Sequence, residues 1–531
     1  MSGSLVEEDR SRWDADHLER VLSKNLDAAA VTSFEVASAG SVTQPEDEAF
    51  EGDGPLPKTT LGYEVTLDSE AAARPIAIEG SLPLIYETES DVWLVDWRRD
   101  VLWPDEPKAR GFAVENQWLK RGSILDRRRK PLAVGSVENR RYPLGSVGGT
   151  TVGHLEPVDE KTAAELEVGE VGDIVGGSGL EAGLNDVLAG TPTSKLVLVD
   201  RRGDPVTTLG RTKGEPGDSV RVTLDAEVQR AAEAAYGATT GGAVVIDPRD
   251  GDLLAVVSSS AFDPNNYVGV AGVEPFNRAL SGLYPPGSSM KVLTAAAALD
   301  TKTVTANTQL SGPAEFQGVR NFESGVFGTL DFATAVKFSV NTAFAQVALD
   351  LGAKKLTRYA RDFGFNREPE MPLQAGTSSF PFPTDDGDLM WGSIGQAQVL
   401  ASPLQMSTVA ATIANGGRRM EPRITMDEPP RGERVVSKRT ARTMTTLMES
   451  VVQGGTGTGA NLAGVRVAGK TGTAEVDVDG ERKNHAWFVC FAPADDPKVA
   501  VAVVSEYGGV GGQVAAPLAG RILSAVLPLV R

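Results

Sequence analysis

Three short motifs bring together residue types that can perform acyl transfer: Ser288-Ser-Met-Lys291, Ser339-Val-Asn341 and Lys470-Thr-Gly-Thr473. A serine hydroxyl is a poor nucleophile until a base takes its proton. Ser288 and Lys291 lie three residues apart, so on a helix they share a face and the amine can reach the hydroxyl. Pro285-Pro286-Gly287 breaks the chain just before the serine, and the run Val292 to Leu299 after it is rich in helix formers and almost free of polarity. This pattern predicts a buried helix whose first turn carries Ser288. There, free backbone N–H groups and positive potential favour a developing oxyanion. Lys291 can act as base only when neutral. Burial lowers a lysine pKa, and a second cation, for which Lys470 is the candidate, lowers it further. Ser339 can pass a proton to a leaving amine, and Asn341 can hold both Lys291 and a substrate amide. Val465 to Gly469 reads as a strand leading into Lys470. On that strand Gly472 would let a substrate backbone approach the edge, and Thr471 and Thr473 could hydrogen-bond a carboxylate.

Each motif alone is weak, since Ser-x-x-Lys occurs on many solvated helices; the argument rests on all three standing in order in one domain-sized region. Other chemistries find less support. His17, His154 and His485 are scattered and match no zinc-like spacing, which leaves few candidates for the base of a histidine triad. The single cysteine, Cys490, cannot form an internal disulfide, and its apolar neighbours predict a buried strand thiol. Asp247, Asp250 and Asp252 resemble a calcium loop, but the full spacing and closing glutamate are missing, so Ala243 to Val257 reads as a hairpin around an Asp-Gly turn. Asp477 to Gly480 reads as another such turn. Gly454 to Gly459 lacks the Gly-Lys-Ser/Thr ending of a phosphate loop and reads as a flexible loop.

The elements that must position these residues belong to a chain of 531 residues, too long for one hydrophobic core. A net charge of −19 argues against nucleic acid and anionic lipid as main ligands. No stretch approaches the ~20 apolar residues of a membrane span, and the first ten residues lack the pattern of a signal peptide, so the chain taken alone reads as soluble. Residues 1–110 read as an α+β unit, with a helix from Ser11 to Asn25, an acidic loop from Gly40 to Pro57, strands at Leu61 to Leu67 and Val92 to Trp97, and a boundary at Trp103-Pro104. Residues 111–217 form a second region. In it Arg127 to Lys130 is expected as a solvated turn between two strands, and Leu180, Leu184, Val187 and Leu188 share one helical face. Residues 218–531 read as α/β, a sheet covered by helices, with a helix from Ala226 to Tyr236.

This third region resembles the transpeptidase domain of class B penicillin-binding proteins. The likeness rests on the three motifs and on Asn277-Arg-Ala279, Tyr284-Pro-Pro-Gly287, Ser393-Ile-Gly-Gln396, Ser402-Pro-Leu-Gln405, Gly454-Gly-Thr-Gly457 and a C-terminal helix near Ala516-Pro517. The second region resembles that family's dimerisation or pedestal domain through Arg121 to Arg127 and Gly177 to Glu181, departing where the family often has glycine at the position of Arg129. The first region resembles the nuclear-transport-factor-2-like N-terminal domain of methicillin-resistance-type members through Trp93 to Trp97 and Trp103-Pro104. The resemblance implies a penicillin-binding, serine β-lactamase-like fold with a helix-covered antiparallel sheet. It implies Ser288 as acyl nucleophile, Lys291 as its base, Ser339 and Asn341 as relay and orienting groups, and Lys470, Thr471 and Thr473 as carboxylate binders. The backbone N–H groups of Ser288 and Thr473 would form the oxyanion hole. No metal or organic cofactor is implied. The expected substrates are peptidoglycan stem peptides on lipid II-derived strands, with β-lactam antibiotics as inhibitors and a membrane glycosyltransferase as partner. The expected place is the extracytoplasmic face of the membrane. Family members carry an N-terminal anchor absent from this sequence, and trimming is the expected explanation. Two alternatives use the same residues: a D,D-carboxypeptidase or β-lactamase-type hydrolase, and a non-catalytic β-lactam sensor or scaffold.

Overall fold

The computed structural model describes residues 15–43, 56–98, 101, 103, 105–159, 173–259, 261–266, 276–478 and 480–530. The opening segment, most of the acidic loop, Pro104 and Asp479 lie outside them. The chain forms two compact units, Met1–Arg121 with Ala189–Gly217, and Gly122–Leu188 with Asp218–Arg531.

In the first unit the expected N-terminal helix runs Ala15–Ala28. A four-stranded antiparallel sheet follows in chain order, Val31–Ala39, Lys58–Ser69, Ile76–Glu87 and Val92–Val95. Gly111–Gln117, Thr193–Val199 and Pro205–Arg211 form a second antiparallel sheet with Thr193–Val199 at its centre. Leu67, Ile76, Trp103, Phe112, Leu196 and Leu198 share one apolar core. The Trp103 indole meets Phe112 edge-on at 4.7 Å within that core.

In the second unit Arg127 to Lys130 turns between strands Ile124–Leu125 and Pro131–Ala133, as expected. The Asp126 carboxylate accepts the backbone N–H groups of Arg128 and Lys130, which closes the turn and lets Arg129 adopt φ +65° where glycine would be easier. Three of the four basic side chains are paired, not merely solvated. Arg128 reaches Asp225 and Glu227, Lys130 reaches Glu227, and Arg127 reaches Asp252. The expected apolar helical face near Leu184 also needs correction. The segment is two short helices, Gly179–Gly183 and Asn185–Ala189, and Val187 is 47% exposed while Leu180, Leu184 and Leu188 are buried. Gly179 at φ +57° and the break at Leu184 move Val187 off the shared stripe.

Five antiparallel strands form the platform of this unit: β1 (Gly241–Ile246), β2 (Leu253–Ser258), β3 (Ala468–Val478), β4 (Glu481–Ala492) and β5 (Val499–Ser505). Their order is β2-β1-β5-β4-β3, which leaves β3 at an edge. The Asp-Gly turn joins β1 to β2, with Gly251 at φ +83°, and the β3–β4 hairpin turns near Gly480. Helices α1 (Ala226–Tyr236), α2 (Lys291–Asp300), α3 (Phe332–Lys337), α4 (Asn341–Leu351), α5 (Pro403–Ala414), α6 (Lys438–Gly454) and α7 (Ala515–Val526) pack on it directly or through one another. Asp225 caps α1 by accepting from the Glu227 and Val228 N–H groups.

Phe488, Cys490 and Ala492 face a core shared with α1 and α7; Trp487, Val489 and Phe491 face the opposite core, where α2, α4 and α5 lie. Because both faces are covered, every residue from Ala486 to Ala492 is buried, which explains an unbroken apolar run in an antiparallel sheet. Each large apolar side chain buried here contributes roughly 1.5–3 kcal/mol, so the strands bearing the motifs sit on a rigid base.

Candidate active site

Ser288 lies on a 3₁₀ turn, Gly287–Met290, and Lys291 is the first residue of α2. The sequence predicts an α-turn here; the tighter form follows from local bonds, since Ser289 donates to the Pro286 carbonyl through both its N–H (3.3 Å) and its hydroxyl (2.6 Å). Two glycines lock this turn in place. Gly287 stands at φ +52°, and a Cβ there would come 2.6 Å from the Thr473 carbonyl oxygen. Its N–H donates to the Gly395 carbonyl at 2.8 Å, and Gly395 at φ +74° would drive a Cβ to 2.3 Å from the Gly287 oxygen. The Trp487 indole donates to Pro285 O at 2.9 Å. Ser288 stays half-exposed while Ser289, Met290 and Lys291 are buried.

The second motif meets the first at the lysine. Asp331 caps α3, which ends just before Phe338, and α4 begins at Asn341. Between them Ser339 takes φ +59°, a strained conformation for serine. The bend aims two of its oxygens at one amine: Lys291 Nζ donates to Ser339 O at 2.8 Å and to Ser339 Oγ at 3.2 Å. It also donates to Asn341 Oδ1 at 2.5 Å, while Asn341 Nδ2 donates to Arg320 O at 2.7 Å and so fixes which way the amide faces. The Phe344 ring lies 5.1 Å away. Burial, and after it the charge of Lys470, holds the Lys291 pKa well below the ordinary lysine range.

The third motif lies on edge strand β3. Lys470 is 1% exposed, its Nζ donates to Thr471 O at 3.0 Å, and burial brings its pKa down to about 7. Thr471 Oγ1 lies 2.7 Å from Thr456 Oγ1, and the Thr456 N–H donates to Lys337 O at 3.3 Å, which ties the end of α3 to β3. Sequence reasoning missed Thr456 because it sits inside the glycine run read as a loop; a hydroxyl between those glycines was the available signal. Thr473 is half-exposed, and its Oγ1 accepts the Gly511 N–H at 3.1 Å. Gly472 also meets the protein's own backbone. A Cβ there would lie 2.7 Å from Pro286 O, 2.9 Å from Trp487 Cβ and 3.0 Å from Ser289 N, so the missing side chain makes room for the protein's own serine turn.

All eight predicted residues thus fall on the serine turn, the α3–α4 junction and β3, and direct contacts join these elements. Cys490 is the buried strand thiol expected. Among the described residues no group of three or more histidine, cysteine, aspartate or glutamate side chains is placed to hold a metal ion. In the β1–β2 turn Asp247 is paired with Arg249, and Asp252 with Arg423 and Arg127.

A helix-covered antiparallel sheet with a serine turn, two buried lysines and a motif-bearing edge strand belongs to a serine acyltransferase. The profile of the penicillin binding protein transpeptidase domain matches residues 241–524, more than half of the chain, and that of the penicillin-binding protein dimerisation domain matches 132–222. The chain belongs to the class B penicillin-binding protein transpeptidase family. It is 37% identical over 359 residues to the peptidoglycan D,D-transpeptidase PbpA of Mycolicibacterium smegmatis, covering 59% of this chain and 73% of that protein. It is 31% identical over 458 residues to the stage V sporulation protein D of Bacillus subtilis, covering 79% and 68%. Among solved structures, a ceftriaxone acyl-enzyme complex of penicillin-binding protein A from M. tuberculosis matches with a TM-score of 0.62 and 30% identity, covering 77% of this chain and 98% of that one. Pseudomonas aeruginosa PBP2 in complex with WCK 5153 matches at 0.67 and 28%, covering 78% and 96%.

Proposed function

We infer that this protein is a peptidoglycan D,D-transpeptidase that cross-links stem peptides through an acyl-enzyme and is acylated by β-lactams. The observation that carries the residue assignment is the surroundings of Lys291: a fully buried amine, depressed by burial and by Lys470, one helical turn from a half-exposed serine. In this reading Ser288 Oγ attacks the carbonyl of the penultimate D-alanine as Lys291 takes the hydroxyl proton. The N–H groups of Ser288 and Thr473 stabilise the oxyanion. The C–N bond breaks, and the terminal D-alanine leaves with a proton relayed through Ser339. An amine of a neighbouring stem peptide then attacks the acyl-enzyme and releases Ser288. Asn341 orients Lys291 and the substrate amide, and Lys470, Thr471 and Thr473 bind the terminal carboxylate, with Gly472 keeping β3 against the serine turn.

The finer domain assignment belongs to the same proposal. Residues 1–110 are a nuclear-transport-factor-2-like domain of the methicillin-resistance type, supported by a helix followed by a four-stranded antiparallel sheet. Residues 111–217 are the dimerisation or pedestal domain, and 218–531 the transpeptidase domain. The protein works on the extracytoplasmic face of the membrane beside a glycosyltransferase; among the described residues no helix is long and apolar enough to cross a membrane.

The test is mass spectrometry with a β-lactam over time. Wild type gains one adduct on Ser288 and Ser288→Ala gains none; an adduct on the variant refutes the nucleophile. An adduct that persists for many minutes fits a transpeptidase, and rapid turnover points to the hydrolase.

A further inference from the structure

β4 carries a histidine that the mechanism above does not use. His485 is 5% exposed and stands opposite Ala474, next to the Thr473–Ala486 pair. Its ring packs on Tyr507 at 4.9 Å and meets Tyr284 edge-on at 5.2 Å. Its Nδ1 accepts the Tyr507 backbone N–H at 3.2 Å, which puts the hydrogen of the neutral ring on Nε2. Tyr507 is held at φ +52°, unusual for a bulky residue. From there the chain returns over the sheet: the Gly509 N–H donates to Asn484 O at 3.1 Å, and the Gly511 N–H donates to Thr473 Oγ1 at 3.1 Å. A threonine hydroxyl has one hydrogen. With Gly511 donating to its oxygen, that hydrogen is left for another acceptor.

We propose that His485 is a positioning residue for carboxylate recognition. By accepting the Tyr507 N–H it fixes segment 507–511, so that Gly511 holds Thr473 with its hydroxyl hydrogen turned to the carboxylate of the acyl donor. The proposal rests on the reading of Thr473 given above.

The charged and titratable groups around the ring are Glu506, Arg278, Lys483, Tyr284 and Tyr507. Glu506 accepts from Tyr284 Oη at 2.5 Å and from Arg278 Nε at 3.0 Å, and Lys483 Nζ lies 5.7 Å from the centre of the Tyr507 ring. Burial lowers the His485 pKa, and Glu506 opposes this more weakly. The ring is therefore a neutral acceptor at pH 7. Protonation, below the ordinary histidine range, sets an Nδ1–H against the Tyr507 N–H and releases the segment.

The probes are a penicillin with its free carboxylate and the methyl ester of the same penicillin. The readout is the ratio of their second-order rates of Ser288 acylation. In His485→Leu the acid-to-ester ratio falls about fivefold, the effect of one neutral hydrogen bond. The loss lies in apparent affinity for the acid, not in the limiting acylation rate. In His485→Asn, whose Oδ1 takes the place of Nδ1, the ratio is restored. As pH falls below the ordinary histidine range the wild-type ratio drops relative to that of His485→Asn, because only wild type has a titrating acceptor. An unchanged ratio in His485→Leu, or failure of a folded His485→Asn to rescue, overturns the proposal. If His485→Leu does not fold, the pH comparison decides alone, and parallel wild-type and His485→Asn profiles refute it. Wild type that is not acylated at Ser288 at all would instead strike the reading on which the proposal rests.

Discussion

Replacing Asn341 with aspartate changes one atom and should disable the base. Asn341 Oδ1 lies 2.5 Å from Lys291 Nζ, and that lysine is 1% exposed, so the new carboxylate is poorly screened. An opposite charge this close favours the ammonium and raises a pKa by about 1–3 units. Each unit lowers the neutral fraction about tenfold below the new pKa. The acylation rate at pH 7 should therefore fall, by at most about a thousandfold. The sign fixes the shape of the profile: the rate is lost toward low pH and returns as pH rises through the new Lys291 pKa. Asn341→Ala is the control. It removes an acceptor without adding charge, so it should slow the reaction without moving the acid limb upward. The assay is the second-order rate of β-lactam acylation from pH 6 to about 10, with thermal melting to confirm folding. A scaled Asn341→Asp profile that superimposes on wild type would mean that Lys291 does not set the acid limb, and the base assignment would fall.

Two further variants probe the neighbouring groups. Lys470→Met removes the positive charge that depresses Lys291, so Lys291 should remain protonated to higher pH and the acid limb should move up, with a several-fold loss at pH 7. A β-lactam ester as substrate keeps lost carboxylate binding out of this measurement, and a stationary limb would show that the two amines do not sense each other. Gly472→Ala forces a Cβ against Pro286 O and Ser289 N, backbone atoms that cannot swing away. It should cost about 1–3 kcal/mol of stability and slow acylation through a displaced Ser288; an unchanged Tm and rate would show that the turn has room to retreat.

The legible parts of this protein were those whose signals are local. The bounds of α1 were readable because Asp225 caps one end and Gly237 stands beyond the other. The β1–β2 hairpin was readable from its Asp-Gly turn, and the buried strand from its apolar run. The pairing of Lys291 with Lys470 could be anticipated from chemistry, because a serine needs a neutral base. What failed depended on distant contacts. Val187 shares a helical period with Leu184, but the helix breaks at Leu184 itself. Nothing local announces that Ser339 will adopt a positive φ; only the need to present both oxygens to an amine from another helix explains it. At Gly472 the space left by the missing side chain is filled from Pro286 and Ser289, far away in sequence.

The three acceptors around Lys291 Nζ also have a consequence for counting hydrogens. An ammonium carries three, one for each of Ser339 O, Ser339 Oγ and Asn341 Oδ1. The neutral amine carries two and a lone pair, so one of the three bonds must reverse or be given up. Both carbonyl oxygens are acceptors only. The Ser339 hydroxyl alone can turn and donate, so its rotation keeps the inventory balanced whenever Lys291 gains or loses a proton. Proton state at one residue and hydroxyl direction at another thus form a single two-position device, and Ser339→Ala would remove the moving part while leaving both fixed acceptors in place.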